Sequence, residues 1–390
     1  MKRIIALMLV LALLLCGCGR GKEDTAVEAP SLSGAVGENP EEFIPETTAE
    51  PTTVPTTEAV VYYNPLNGEI LDAPFDGRIY ASTIANTPDA SIPHVSAVKA
   101  DIVLETFVNG SVVRCLALFS DLSDVEAIGS TRSTRLMFND IADHYGAILT
   151  HAGGVNRVIR DANDRGLTHY NVDSLIRQAG DLAQATAYRS KEYPKEKYGE
   201  YNLFVNGPGV MAYAESQGVQ IKGLPEKDYG LIFAEDGTPQ AGEDADKISV
   251  TITYNSYKKE TIMLYDHGLG KYVYNQYGKE MQDLITKEKE AFENVVVMYT
   301  NITANREFQV ADFVAGGGGY YACGGKIIPI TWTCEGEKEP FRFFTAEGDP
   351  LAFGQGNTYI AITQPDSKVT YEDVAPPAET QAPETTANAG

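Results

Sequence analysis

The chain has 390 residues, with 31 Lys or Arg against 54 Asp or Glu and a formal charge of −23. Such a charge repels nucleic acid unless a local basic patch opposes it, and the sequence holds no long basic run, so DNA and RNA are set aside as partners. The apolar fraction of 43% is ordinary for a globular protein, and the length suits about two domains once the ends are removed.

The first element is MKRIIALMLVLALLLCGCGR, a basic start (Lys2, Arg3) followed by an apolar core from Ile4 to Leu15. That core is too short for an ordinary membrane span and suits a signal peptide. Its end, Leu15-Cys16-Gly17-Cys18, resembles the bacterial lipobox, with Leu at −3 and Gly at −1 of Cys18. Removal of residues 1–17 is expected to leave Cys18 lipidated at the outer face of the cytoplasmic membrane. Several acyl chains, each adding ~0.8 kcal/mol per buried CH₂, would hold it there. Residues 18–60 continue as a Thr/Pro/Glu-rich stretch without an apolar period, read as a disordered acidic tether of ~35–40 Å mean span. Residues 371–390 have the same composition and read as a disordered tail.

Residues 61–222 alternate strand-like and helix-like segments. RIYASTIAN (78–86) and ADIVLETFVNG (100–110) read as strands, and Asn109-Gly110 signals a hairpin into SVVRCLALFS (111–120). STRLMFNDIADHYG (133–146) reads as a helix, AILTHAGG (147–154) as a short buried strand, and VNRVIRDANDRG as a second helix. YNLFVNG is a strand, and PGVMAYAESQG a helix opened by proline and closed by glycine. Residues 223–370 are mainly strand-like, and only KEMQDLITKEKEAFE (279–293) looks helical. The expected fold class is α+β, an α/β N-terminal domain with a mixed sheet followed by a mainly β C-terminal domain. Cys115 alternates with apolar residues and reads as buried. Cys323 and Cys334 flank GGKIIPITWT and could meet across a hairpin; the compartment permits a disulfide, and whether the two are bonded is left open by the sequence.

In order through both domains, NPLNG (64–68), ADIVLETFVNGSVVRCLALFS, IGSTRSTR, THAGG, Arg189 followed by EYNLF, GGKIIPITW and GNTYIAI resemble the motifs of the YerB-like bacterial lipoprotein family. The resemblance covers about residues 61–365 and implies a surface lipoprotein whose domain has no established function. PHVSA (93–97) stands where the family has PQSGL, and Tyr201 where it has a histidine.

Positive charge concentrates in AIGSTRSTRL (127–136), between a strand and a helix. A helix start offers free backbone N–H groups to an anion, and Ser130 or Thr131 is expected to cap it. Arg132, Arg135 and Asn139 would then share one helix face. Asp101 and Glu105 share a strand face. Two arrangements are open. In one, Arg132 and Arg135 pair with Asp101 and Glu105 as an internal knot, the favoured outcome because carboxylates inside a sheet need partners. In the other they grip a phosphate, pyrophosphate or carboxylate, joined by His151 at the end of its strand. Arg114 and Arg189, in the matched segments, complete the candidate ligand-binding set. HExxH and paired CxxC motifs are absent from the sequence, so no metal and no cofactor is expected. GGGGYYACGGK lacks phosphate-loop spacing, and its glycines read as serving a tight hairpin or bulge. Trp332 and the tyrosines of the β domain read as filling sheet faces rather than lining a ligand groove.

The functional expectation is a non-enzymatic envelope module that binds a wall polymer or protein partner. The alternative is an enzyme acting on a phosphate- or pyrophosphate-containing wall precursor through Arg132 and Arg135, with Asp101 and Glu105 beside them. For that, the order of acidic strand, hairpin and Arg-rich turn is similar to the pattern of LytR-CpsA-Psr phosphotransferases, an analogy of pattern alone. An assembly scaffold that dimerises through its β domain is a third reading.

Overall fold

The computed structural model describes residues 61–87, 94–193, 197, 199–306 and 308–374. Cys18, the signal segment, the tether and residues 375–390 lie outside the described residues, while Tyr371 and Glu372, expected in the disordered tail, pair in a strand with Ile248 and Lys247. The N-terminal part runs β1 (Tyr80–Ala85), β2 (Ile102–Asn109), β3 (Val112–Phe119), α1 (Leu136–His144), β4 (Ile148–His151), α2 (Asn156–Asp164), β5 (His169–Asn171) and α3 (Gly207–Ser216). The C-terminal part is mostly strand. It runs β6 (Glu243–Asp244), β7 (Lys247–Tyr254), β8 (Tyr257–Asp266), β9 (Lys271–Gln276), β10 (Asn294–Tyr299) and β11 (Gly317–Cys323). β12 (Lys326–Thr333), β13 (Arg342–Thr345), β14 (Thr358–Thr363) and β15 (Val369–Glu372) follow. The fold is α+β, with the helices in the N-terminal part and a strand-rich C-terminal part.

Local chemistry explains the main elements. Gly110 takes a φ of 55°, which turns β2 back into β3, with Glu105 opposite Cys115 and Thr106 opposite Arg114. Asn206 caps α3 by accepting from Gly209 N at 2.7 Å, with proline in the first turn. β4, α2 and β5 form a parallel βαβ unit.

Eleven strands form one mixed sheet in the order β6-β12-β11-β10-β14-β2-β3-β1-β4-β5, with β13 on β12. β14 lies between β10 and β2, parallel to both, so strands from both parts of the chain share this sheet. A second sheet holds Lys279–Glu280, β9, β8, β7 and β15, with Ala291–Phe292 on β9. Its strand β7 packs against β14 and β2, burying Ile248, Val250 and Ile252 completely. On the N-terminal part, α1 buries Met137, Phe138 and Ile141. Trp332 is also buried, packed edge-on against Phe313 and Phe341.

Three local expectations are corrected. Residues 279–293 form two short strands around a turn rather than a helix. The Asp283 carboxylate accepts from Ile285 N and Thr286 N, both at 2.8 Å, so side-chain bonding competes with the helical ladder. Cys323 and Cys334 are free and buried. In the β11–β12 register Cys323 faces Lys326, so Cys334 lies eight residues further along, about 26 Å away and far beyond disulfide reach. Helix α1 begins at Leu136, not at residue 133, and Arg135 is its N-cap. Ser130 and Thr131 do not cap it; their hydroxyls donate to the Tyr201 and Ile128 carbonyls. Arg132 therefore sits on extended chain and shares no helix face with Asn139.

Candidate functional site

The segment from Thr131 to Arg135 is held by β1, by the short strand Leu203–Val205 and by the loop after β4. Thr131 N donates to Leu203 O, Arg132 N to Thr83 O, and Thr134 N to Gly153 O; Ala152 N donates to Arg132 O. With its backbone so engaged, the segment projects two guanidiniums toward a third from β3. Arg114, only 6% exposed, donates to Ser133 O at 2.5 Å. Arg132 is half-buried, lies 4.6 Å from the centre of the Tyr201 ring and donates to Glu200 O at 3.3 Å. Arg135 donates to Thr134 O at 2.7 Å, with its guanidinium 5.3 Å from the Phe308 ring centre. Burial, then the charges of Arg135 and Arg132, bring the Arg114 pKa down to about 9.

The carboxylates expected beside these arginines are elsewhere. Asp101 lies five residues from Thr106, the partner of Arg114, a span of about 16 Å along the strand. It accepts from Asn67 Nδ2 at 2.6 Å, Ser120 N at 2.6 Å and Asn64 Nδ2 at 3.3 Å. Burial outweighs these bonds and pushes its pKa up to about 6. Glu105 shares a sheet face with Cys115, opposite to that of Arg114, and enters the seam between the two sheets. There it meets Lys259 Nζ at 2.6 Å, accepts from Thr261 Oγ1 at 2.9 Å and bonds Asn86 and Tyr359. His94 and Glu290, 2.9 Å apart and buried, are a second polar pair that the sequence reading did not single out. Neither the ion-pair knot nor the four-residue catalytic constellation is formed.

His151 is buried, and its Nδ1 donates to Gly153 O at 2.8 Å. Its Nε2 therefore accepts from His169 Nδ1 at 3.0 Å. Burial, then His169, push the His151 pKa down to about 4, so the ring is neutral at pH 7 and adds no positive charge to the arginines. Arg189 bonds Asn202 at 2.8 Å, at the end of the helical turn Gly199–Asn202, and Asp173 at 2.7 Å, in the helical turn Val172–Leu175, so its guanidinium is engaged within the fold.

A cleft of about 1220 Å³ opens at the far end of β3 from Arg114. Asp101 and Tyr80 line it, with eight carboxylates and five Lys or Arg side chains in all. Leu71, Phe75 and Met211 give it apolar wall. Tyr80 is 2% exposed, and its hydroxyl has no hydrogen-bond partner among the described residues. The sequence reading singled out Asp101 but missed Tyr80, whose strand position alone marks it as core. Among the described residues, no group of three or more His, Cys, Asp or Glu side chains is placed to hold a metal ion.

Fold and site define an α+β protein with a charged cleft at one end of a shared sheet and an arginine junction at the other. The chain belongs to the family described as "Protein of unknown function (DUF3048)", whose N-terminal domain matches residues 67–220 and whose C-terminal domain matches residues 250–360. It is 22% identical over 309 residues to a Bacillus subtilis (strain 168) protein named "Putative lipoprotein YerB", covering 76% of this chain and 85% of that protein. The crystal structure of YerB protein from Bacillus subtilis is similar with a TM-score of 0.65 at 22% identity, over 79% of this chain and 99% of that one. The expected YerB-like family and fold class are thereby met. No helix among the described residues is long and apolar enough to cross a membrane.

Proposed function

We propose that the chain is a non-enzymatic binding module of the bacterial envelope that takes a segment of wall polymer in the cleft beside Asp101. Lipid on Cys18 anchors it at the outer face of the cytoplasmic membrane, a reading supported by the N-terminal sequence and by the name of the Bacillus subtilis relative. The observation that carries the binding role is the cleft itself, with Tyr80 in its wall, whose buried hydroxyl has no partner among the described residues. A buried hydroxyl without a partner costs free energy, and a ligand rich in hydroxyls and amides supplies the missing bond. Such a ligand also donates to the carboxylates that outnumber the cations there. The enzymatic alternative required Arg132 and Arg135 beside Asp101 and Glu105, and these groups stand apart.

The test is calorimetric titration of the full chain with purified wall fragments, using Tyr80→Phe as the variant. Loss of one hydroxyl contact weakens binding by about tenfold while leaving stability equal or higher. Failure of the fragments to bind, or equal binding by the variant, overturns the reading.

A further inference from the structure

We propose that Arg114 and Arg132 form an oxyanion site that takes a phosphate-bearing ligand, separate from the cleft. In this acidic chain the buried Lys259 and several half-buried cations are answered by carboxylates, while the half-buried Arg78 and Arg157 meet backbone carbonyls instead. Lys259 meets Glu105 at 2.6 Å, Arg165 meets Asp140 at 2.5 Å, and Arg189 meets Asp173 at 2.7 Å. Arg114, as buried as Lys259, has no carboxylate partner among the described residues, and Arg132 beside it has none either. Among the described residues their polar contacts are one carbonyl each, Ser133 O and Glu200 O, and the face of Tyr201.

Each guanidinium carries five N–H donors, so most remain available. Burying like charges side by side is unfavourable, and an anion between them relieves both the repulsion and the lost hydration. Two guanidinium forks suit a tetrahedral, multiply charged oxyanion better than a single carboxylate. Access is from the side of Arg132, the half-exposed member, while Arg114 is the buried floor. The site lies about 20 Å along β3 from Ser120 at the cleft edge.

The phosphate has two sources, the free ion or a phosphodiester within an envelope polymer. The experiment titrates the full chain with inorganic phosphate, with poly(glycerol phosphate), and with polyglutamate as a phosphate-free polyanion. The variants are Arg132→Gln, at a half-exposed position, and Arg114→Lys, which keeps the charge but loses the fork. Circular dichroism checks that each variant folds. Binding of either phosphate probe, weakened at least tenfold in Arg132→Gln, supports the site, and the tighter probe identifies the source. Tyr80→Phe leaves this binding unchanged, so failure of the cleft reading does not touch it. No binding by either phosphate probe, equal binding by polyglutamate, or binding unaffected by Arg132→Gln overturns it.

Discussion

Glu105 of β2 and Lys259 of β8 meet at 2.6 Å with both side chains almost wholly buried, and this pair joins the two sheets. Thr261, Tyr359 and Asn86 complete the coordination of the carboxylate, while Tyr274 accepts from Lys259 Nζ at 3.0 Å. The arrangement is a satisfied polar network inside an apolar seam, which favours one packing of the second sheet on the first.

Breaking one half of that pair strands a charge. Lys259→Met is expected to lower stability by about 3–5 kcal/mol, and Glu105→Leu by a similar amount. The double substitution is expected to recover much of the loss, because no buried charge remains. Urea unfolding of the three variants measures this, and additive losses would contradict the network.

Asp101 and His151 are expected to tilt stability in opposite directions with pH. Asp101 has a folded pKa of about 6, above the ordinary ~3.9 of an unfolded aspartate. Its contribution is complete below pH ~4 and is lost as pH rises through 6, at most roughly 3 kcal/mol. His151, at about 4 in the folded state, contributes fully above pH ~6.5 and loses that contribution as pH falls through 4. Carboxyl and imidazole NMR titrations read both midpoints directly. An Asp101 midpoint near 4 would show that its three hydrogen bonds outweigh burial.

The thiols are expected to stay closed to reagents in the native state. Cys115, Cys323 and Cys334 are all buried, and burial pushes Cys323 up to about 12. Iodoacetamide labels them only after unfolding, and mass spectrometry under non-reducing conditions finds no Cys323–Cys334 bond. Native-state labelling at pH 8 would refute the burial.

Gly319 in β11 admits no side chain, since an added Cβ would fall 1.8 Å from Val297 O on β10. Gly319→Ala is expected to force the strands apart and to cost about 3 kcal/mol. Gly110→Ala meets no neighbour within 4 Å and strains only a turn conformation, so it costs less. Thermal melts of the pair distinguish packing from backbone freedom.

Periodicity and turn residues by themselves determined most elements. The strands around Asn109-Gly110, the helix opened after Asn206 and the β-rich C-terminal part follow from local pattern, because alternation and caps act over a few residues. The run 279–293 did not yield to that reading, since its outcome depends on Asp283 bonding its own turn and accepting from Ser96 N at 2.5 Å, far away in sequence. The ordered motifs also carried the family. Only the tertiary structure decided what the charged residues do. Asp101, Glu105, Arg114 and Arg132 lie close in sequence, but the strand pleat sends Glu105 to one face of the sheet and Arg114 to the other, and strand length separates Asp101 from both. The partner of Glu105 comes from residue 259 and that of His94 from residue 290. Such long-range pairing is set by which strands share a sheet, and that depends on β14 closing against β2 across more than 250 residues of chain.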